Sequence, residues 1–444
     1  MNKLKIAVLL GTRPEIIKMS PIIRYLENVN ELQRIKKLSK MAGYDLSSDS
    51  SKSNANENNE NNENNEKKDN VLSKNTLDIL DIDNTRVEYI IIHTNQHYSQ
   101  NMDKIFFDEL NLPKCKYNLK IGSGRHGEQT GNMMIALEKV LVEEEPDVLF
   151  VQGDTNTVLA GAITASKMGI NVAHVEAGLR SFDRTMPEEL NRIMADHISD
   201  FLLAPTNLAK QNLLNEGIDE NKIFVVGNTI VDATLQNLKI AKKKIENLES
   251  SENMLSNLAS EKNADYFLLT LHRAENTDYF DRLSNIIENI VNIADNYSKI
   301  VFPIHPRTFK KLKEYDLLSK LENNPNIQLI EPVGYLDFLL LENNSKLILT
   351  DSGGVQEEAC ILGVPCLTIR QNTERPETVD VGSNIIVGYD YDNWVNGLNK
   401  ILGLDLEKDT DRCTPCSAKK WDNPFGCGNS AEKILEIVFS KLKN

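Results

Sequence analysis

The chain has 444 residues and a formal net charge of −15, with 40% hydrophobic and 26% charged residues. That length suits two domains with sizeable cores better than one. So acidic a surface argues against nucleic acid or an anionic membrane as the main partner, and an anionic substrate would need its own cluster of Arg and Lys.

In chain order, the first strand is expected at Lys5 to Leu10. Its apolar run is far short of the roughly 20 residues that span a bilayer. It runs into Gly11-Thr12-Arg13-Pro14-Glu15, where Gly allows a tight turn and Pro14 suits a helix start. A helix start offers backbone N–H groups to an anion, and Arg13 and Lys18 add charge there. Residues 44–75 form an Asn-rich insertion, densest from Ser47 to Asn70, with no apolar periodicity to offset its ordering entropy.

Val87 to His93, Asp147 to Gln152, Asn171 to Val175, Phe201 to Ala204 and Ile223 to Val226 read as further strands, apolar on both faces. Amphipathic stretches such as Glu128 to Val142 and Asp154 to Lys167 fill the gaps. This is βα repetition, hence a parallel sheet covered by helices. Gly122-Ser-Gly-Arg-His-Gly127 matches a dinucleotide-binding fingerprint, but it follows a short polar strand, Tyr117 to Ile121, well past the first one.

Asp154 follows the strand ending at Gln152 and is placed to cap the next helix. Glu176 follows the apolar strand ending at Val175, where desolvation should raise its pKa. Glu188 and Arg192, after Pro187, lie one helical turn apart and suit an i,i+4 ion pair. Singly, each carboxylate suits a structural role; three at consecutive strand ends suggest proton transfer.

A polar helical stretch, Leu235 to Lys262, precedes a second strand series: Tyr266 to Leu271, Ile300 to Ile304, Ile327 to Ile330, Lys346 to Thr350 and Cys366 to Ile369. His272-Arg273 and His305-Pro306-Arg307 follow the first two. Asp351-Ser352-Gly353-Gly354 places Ser and two Gly at a helix start, an anion-binding nest. Glu358, one turn in, suits the two hydroxyls of a ribose, and Arg375 supplies another cation. Cys413, Cys416 and Cys427 lack the second pair that a structural zinc site usually shows.

The expected organisation is a Rossmann-like domain over residues 1–235, a second one over 236–428, and a C-terminal helix over 429–444 that packs back on the first. In open α/β sheets the ligand sits at the carboxyl ends of the strands, so a cleft between the two domains should carry the chemistry.

Eight segments standing in order resemble the non-hydrolysing UDP-N-acetylglucosamine 2-epimerase family: GTRPEIIKM, GDTNT, HVEAGLRS, MPEELNR, GNTIVDA, HRAEN, TDSGGVQEEA and NTERPE. The resemblance implies a GT-B-like two-domain fold, a cytoplasmic homodimer acting in polysaccharide biosynthesis, no metal and no NAD. It makes Asp154, Glu176 and Glu188 catalytic carboxylates and His272 a group near the leaving phosphate. Arg13, Lys18, Arg273, Ser352, Gly353, Gly354, Glu358 and Arg375 then serve the UDP part, with Arg192 behind the carboxylates. Ala274 stands where bacterial members commonly have a second Arg. Gln96-His97 match, and Tyr98-Ser99 depart from, a motif through which some bacterial members bind an activating second UDP-N-acetylglucosamine. The rivals on this fold are a hydrolysing 2-epimerase, a glycosyltransferase and a sugar-nucleotide sensor; a dehydrogenase is more remote.

Overall fold

A computed structural model describes residues 2–41, 85–96, 106–246, 265–403 and 421–443. The Asn-rich insertion, His97, Tyr98, Ser99, Cys413 and Cys416 lie outside the described residues.

The chain divides into two compact units, Met1–Ala233 with Gly426–Asn444, and Thr234–Phe425. The first contains β1 (Asn2–Leu10), α1 (Arg13–Met41), β2 (Thr85–His93), β3 (Tyr117–Asn118), α2 (His126–Glu144), β4 (Val148–Gln152), α3 (Asn156–Lys167), β5 (Asn171–Val175), α4 (Pro187–Ile198), β6 (Phe201–Ala204), α5 (Asn207–Asn215) and β7 (Ile223–Val225). α6 (Thr229–Glu246) carries the chain into the second unit.

That unit contains β8 (Tyr266–Thr270), α7 (Ala274–Thr277), α8 (Phe280–Asn296), β9 (Lys299–Pro303), α9 (Pro306–Glu314), α10 (Leu318–Glu322), β10 (Ile327–Ile330), α11 (Tyr335–Asn344), β11 (Leu347–Thr350), α12 (Gly353–Leu362), β12 (Cys366–Thr368), α13 (Pro376–Asp380), β13 (Asn384–Ile386) and α14 (Tyr391–Leu402). α15 (Ser430–Leu442) returns to the first unit.

Both sheets are parallel, with strand orders β3-β2-β1-β4-β5-β6-β7 and β10-β9-β8-β11-β12-β13. They are doubly wound α/β sheets, as the repeating pattern predicts. Their order reverses between β1 and β4 and between β8 and β11, which opens a crevice at the carboxyl ends of those strands. Burial explains the uninterrupted apolar runs: every residue of β4 and of β11 is buried, because helices cover both faces. In the second unit the core gathers Phe267, Phe302 and Trp394 around the central strands. β13, absent from the predicted strands, is only three residues long, too short for any periodicity to register.

Asp232 of α6 is wholly buried and accepts the backbone N–H groups of Ser430 at 3.2 Å and Ala431 at 3.1 Å. It therefore caps α15 from a distant part of the chain, where the helix's own Asn429 makes no side-chain cap. Asp232→Ala should leave two buried donors unpaired, at a cost of about 2 kcal/mol. Hydrogen exchange of the α15 amides should quicken accordingly. Unchanged protection would show that α15 is held by its apolar face alone.

Candidate active site

The first unit gathers its polar side chains where β1, β4 and β5 end. Gly11, after β1, must be glycine because a Cβ there would meet Thr157 Oγ1 at 2.1 Å. Glu15, one turn into α1, is buried and folds back to accept from Gly11 N at 2.5 Å and Thr12 N at 3.2 Å. Its other oxygen accepts from Thr155 Oγ1 at 2.5 Å, which ties the turn after β1 to the loop after β4. Lys18, on the next turn of α1, donates to Glu176 Oε1 at 2.6 Å, and Gln152 donates to Glu176 Oε2. Glu176 itself has φ +70°, a left-handed conformation that costs a non-glycine residue about 1 kcal/mol or more. The strain aims its carboxylate back at Gly153, where a Cβ would stand 3.9 Å from Glu176 Oε2.

Asp154 Oδ2 lies 2.5 Å from Arg192 Nη2, whose Nη1 lies 2.8 Å from Glu189 Oε2. Two local expectations are corrected here. Thr155, not Asp154, caps α3, accepting from Thr157 N at 3.2 Å. Arg192 pairs with Asp154 and Glu189 rather than with Glu188, because Glu188 points to solvent while Glu189 faces inward. Glu188 makes no hydrogen bond or ion pair among the described residues. Arg13 is exposed at the start of α1, its guanidinium carbon 5.9 Å from the Phe106 ring centroid. Glu176 is buried as expected, with the Lys18 ammonium against its carboxylate.

The second unit builds its polar end around Asp351, which is completely buried after β11. Asp351 accepts from His272 N at 3.0 Å, Arg273 N at 2.8 Å and Asn276 Nδ2 at 3.2 Å. His272 Nδ1 lies 3.1 Å from its Oδ1. Burial pushes the Asp351 carboxyl up, but the hydrogen bond and charge of His272 and these N–H donors outweigh it and hold it below its ordinary value. The loops after β8 and β11 are thereby locked side by side at the switch point. The His305 ring stands 5.5 Å from that of His272.

Ser352 precedes α12 without using its side chain as a cap, and Gly353 and Gly354 open the helix. A Cβ on Gly354 would find nothing within 4 Å, so the helix start is open there, whereas one on Gly353 would stand 3.5 Å from Glu374 Oε2. Glu358 is buried on the same helix and accepts from Tyr335 OH at 2.9 Å. Arg375 Nε lies 2.8 Å from Glu357 Oε1, and Arg273 Nη2 lies 3.9 Å from Glu374 Oε1. Among the described residues, no group of three or more His, Cys, Asp or Glu side chains is arranged to hold a metal.

A family model described as UDP-N-acetylglucosamine 2-epimerase matches residues 81–439. The UDP-N-acetylglucosamine 2-epimerase of Methanocaldococcus jannaschii is 54% identical over 436 residues, covering 98% of this chain and 99% of that protein. This chain belongs to the UDP-N-acetylglucosamine 2-epimerase family. The Methanococcus maripaludis epimerase is 52% identical, covering 99% of each chain. A crystal structure of the M. jannaschii epimerase in complex with UDP-GlcNAc and UDP matches with a TM-score of 0.70, covering 98% of this chain and 99% of that one.

Within this epimerase family member, the sequence reading missed Glu15, Gln152, Asp351 and Glu189. Glu15, Glu189 and Asp351 stand inside recognised motifs and Gln152 directly before one, but only their contacts separate them from their neighbours. The glycine-rich stretch Gly122 to Gly127 follows β3, a two-residue edge strand, rather than the central β1 that a dinucleotide fingerprint would follow. Gln96 is buried, accepting from Thr157 Oγ1 at 2.9 Å.

Glu15 also makes stability depend on pH. Burial pushes its carboxyl from 4.5 up to about 7, although its three donors pull the other way. When Glu15 takes a proton, the Thr155 hydroxyl can turn and accept a hydrogen bond from the carboxyl O–H. An acid whose folded value is raised contributes stability that is full below about 4.5 and lost as pH rises towards about 7. The loss should be about 3 kcal/mol. Wild type should therefore lose stability relative to Glu15→Gln across that window when unfolding is followed by urea titration. Parallel pH profiles for the two proteins would show that Glu15 does not titrate there.

Proposed function

We propose that this protein is a non-hydrolysing epimerase that interconverts UDP-N-acetylglucosamine and UDP-N-acetylmannosamine. The observation that carries the reading is the set of carboxylates gathered around Lys18 and Arg192 where β4 and β5 end. The second unit's open helix start beside His272 supports it, as does the substrate named for the M. jannaschii relative.

The proton on carbon 2 of the sugar is not next to a carbonyl, so elimination is the direct route. A carboxylate takes that proton as the bond between carbon 1 and the diphosphate oxygen breaks, giving 2-acetamidoglucal and UDP. The diphosphate oxygen then adds back to carbon 1, and a proton returns to carbon 2 on the opposite face. Two faces need two proton-transfer groups, which Asp154, Glu176 and Glu188 supply. His272, Arg273, Arg375 and the N–H groups of Ser352, Gly353 and Gly354 meet the charge growing on the departing diphosphate. Arg13 and Lys18 serve the UDP part as further cations, and Glu358 takes the ribose hydroxyls. Lys18 and Arg192 hold the catalytic carboxylates in their working rotamers. The active form is a homodimer.

The test is to incubate the pure full-length protein with UDP-N-acetylglucosamine and analyse the products. UDP-N-acetylmannosamine at an equilibrium ratio is the expected result. Free N-acetylmannosamine would mark a hydrolysing enzyme, and substrate consumed only with an added sugar acceptor would mark a glycosyltransferase. Either outcome, or no turnover, would overturn the proposal. Sedimentation of the same sample checks the dimer.

A further inference from the structure

His174, two residues before Glu176 on β5, takes no part in the reaction above, yet its surroundings are unusually specific. The ring is buried, with Nδ1 2.7 Å from Asp196 Oδ1 and Nε2 2.8 Å from the Gly153 carbonyl oxygen. A carbonyl can only accept. Asp196 also accepts from Gly178 N at 3.1 Å and from Arg180 Nη1 at 2.7 Å, so it too is an acceptor. A neutral imidazole has one N–H and would leave one of these contacts as two facing acceptors.

Charge balance points the same way. The charged groups around the ring are Asp196 from α4 and Arg180 from the loop after β5. Arg180 in turn meets Glu216 at the end of α5, at 2.7 Å, and the exposed His197 lies 3.9 Å from that carboxylate. With His174 protonated, the two cations His174 and Arg180 balance the two carboxylates Asp196 and Glu216. With it neutral, Arg180 would be the one cation shared between the buried Asp196 and the part-exposed Glu216. Burial pushes the ring's pKa down, but Asp196 and the Gly153 carbonyl outweigh it and hold the value above that of an ordinary histidine.

The consequence lies at Gly153, the residue before Asp154. Its N–H donates to Val175 O at 3.1 Å while its carbonyl accepts from His174, so consecutive residues of β5 grip the two peptide groups that flank Gly153. Gly153 has φ +83°, a turn that this grip fixes. We infer that His174 is a positioning residue that keeps protons on both ring nitrogens and, through the Gly153 carbonyl, sets the direction in which Asp154 leaves β4. The inference rests on the reading of Asp154 as a proton-transfer group.

The test uses full-length protein with ¹⁵N-labelled histidine, the His174 signals being assigned by their loss in a substituted variant. Both ring nitrogens should show the protonated pattern at neutral pH, where an ordinary histidine has mostly lost its charge. One protonated and one bare nitrogen at neutral pH would overturn the proposal. Two variants read the positioning. His174→Gln keeps a donor at the place of Nε2 and should hold kcat within about threefold, whereas His174→Asn keeps only the donor towards Asp196 and should lower it about tenfold to a hundredfold. KM and UDP affinity should hardly change in either, and the Gly153 amide resonance should move only in the Asn variant. A folded Asn variant with wild-type kcat and an unmoved Gly153 resonance would overturn the positioning role. Wild-type protein lacking epimerase activity would sink the activity reading alone; the ring spectra and the Gly153 resonance would still decide this proposal.

Discussion

Asp154→Asn, Glu176→Gln and Glu188→Gln are each expected to lower kcat by about a hundred- to ten-thousandfold while UDP affinity holds. The first two must be read with care for structure. Asp154 pairs with Arg192 at 2.5 Å and Glu176 with Lys18 at 2.6 Å, so an amide there also leaves a cation short of its partner. If these carboxylates only hold ion pairs, thermal stability should fall and kcat of the folded protein should not. Glu188 gives the cleaner comparison, because it is exposed and has no ion pair among the described residues to lose. A loss of rate in Glu188→Gln without loss of stability would therefore be chemical. Wild type turning over in D₂O should place deuterium at carbon 2 of the product. A folded triple-amide variant that epimerises at the wild-type rate would exclude the three groups. Single variants are needed beside the triple, since residues that act as a unit are not additive.

Removing Asp351 should be the most damaging single change to the second unit. Asp351→Ala takes the acceptor away from the N–H groups of His272 and Arg273, the Asn276 amide and the His272 ring, around a carboxylate that is completely buried. The expected cost is about 3–5 kcal/mol, with UDP affinity lost as the loops after β8 and β11 part. Asp351→Asn keeps the size and one acceptor and should cost about half as much. Because the folded carboxyl lies below its ordinary value, its contribution is present above about pH 4 and is lost as pH falls through the depressed value. Urea unfolding of the wild type and both variants checks the order. An alanine variant as stable as wild type would show that other contacts hold these loops together.

The sequence by itself determined which segments lie inside and which strand ends gather polar and charged side chains. Runs such as Val148 to Gln152 are apolar on both faces because parallel strands are covered on both, and that pattern survives without any knowledge of partners. Gly11, Pro14, Ser352, Gly353 and Gly354 marked the turns, since few residues tolerate those backbone positions. Partners were another matter. A local rule paired Arg192 with Glu188, one turn away, yet the structure gives it Asp154, separated by 38 residues. Lys18 meets Glu176 across 158 residues, and Asp232 caps a helix 198 residues later. The reason is desolvation: an exposed charge is content with water, whereas a buried one must find an opposite charge or a donor wherever the fold supplies it. Helical periodicity encodes which face a side chain takes, but only the packed sheets decided which distant charge would be waiting there.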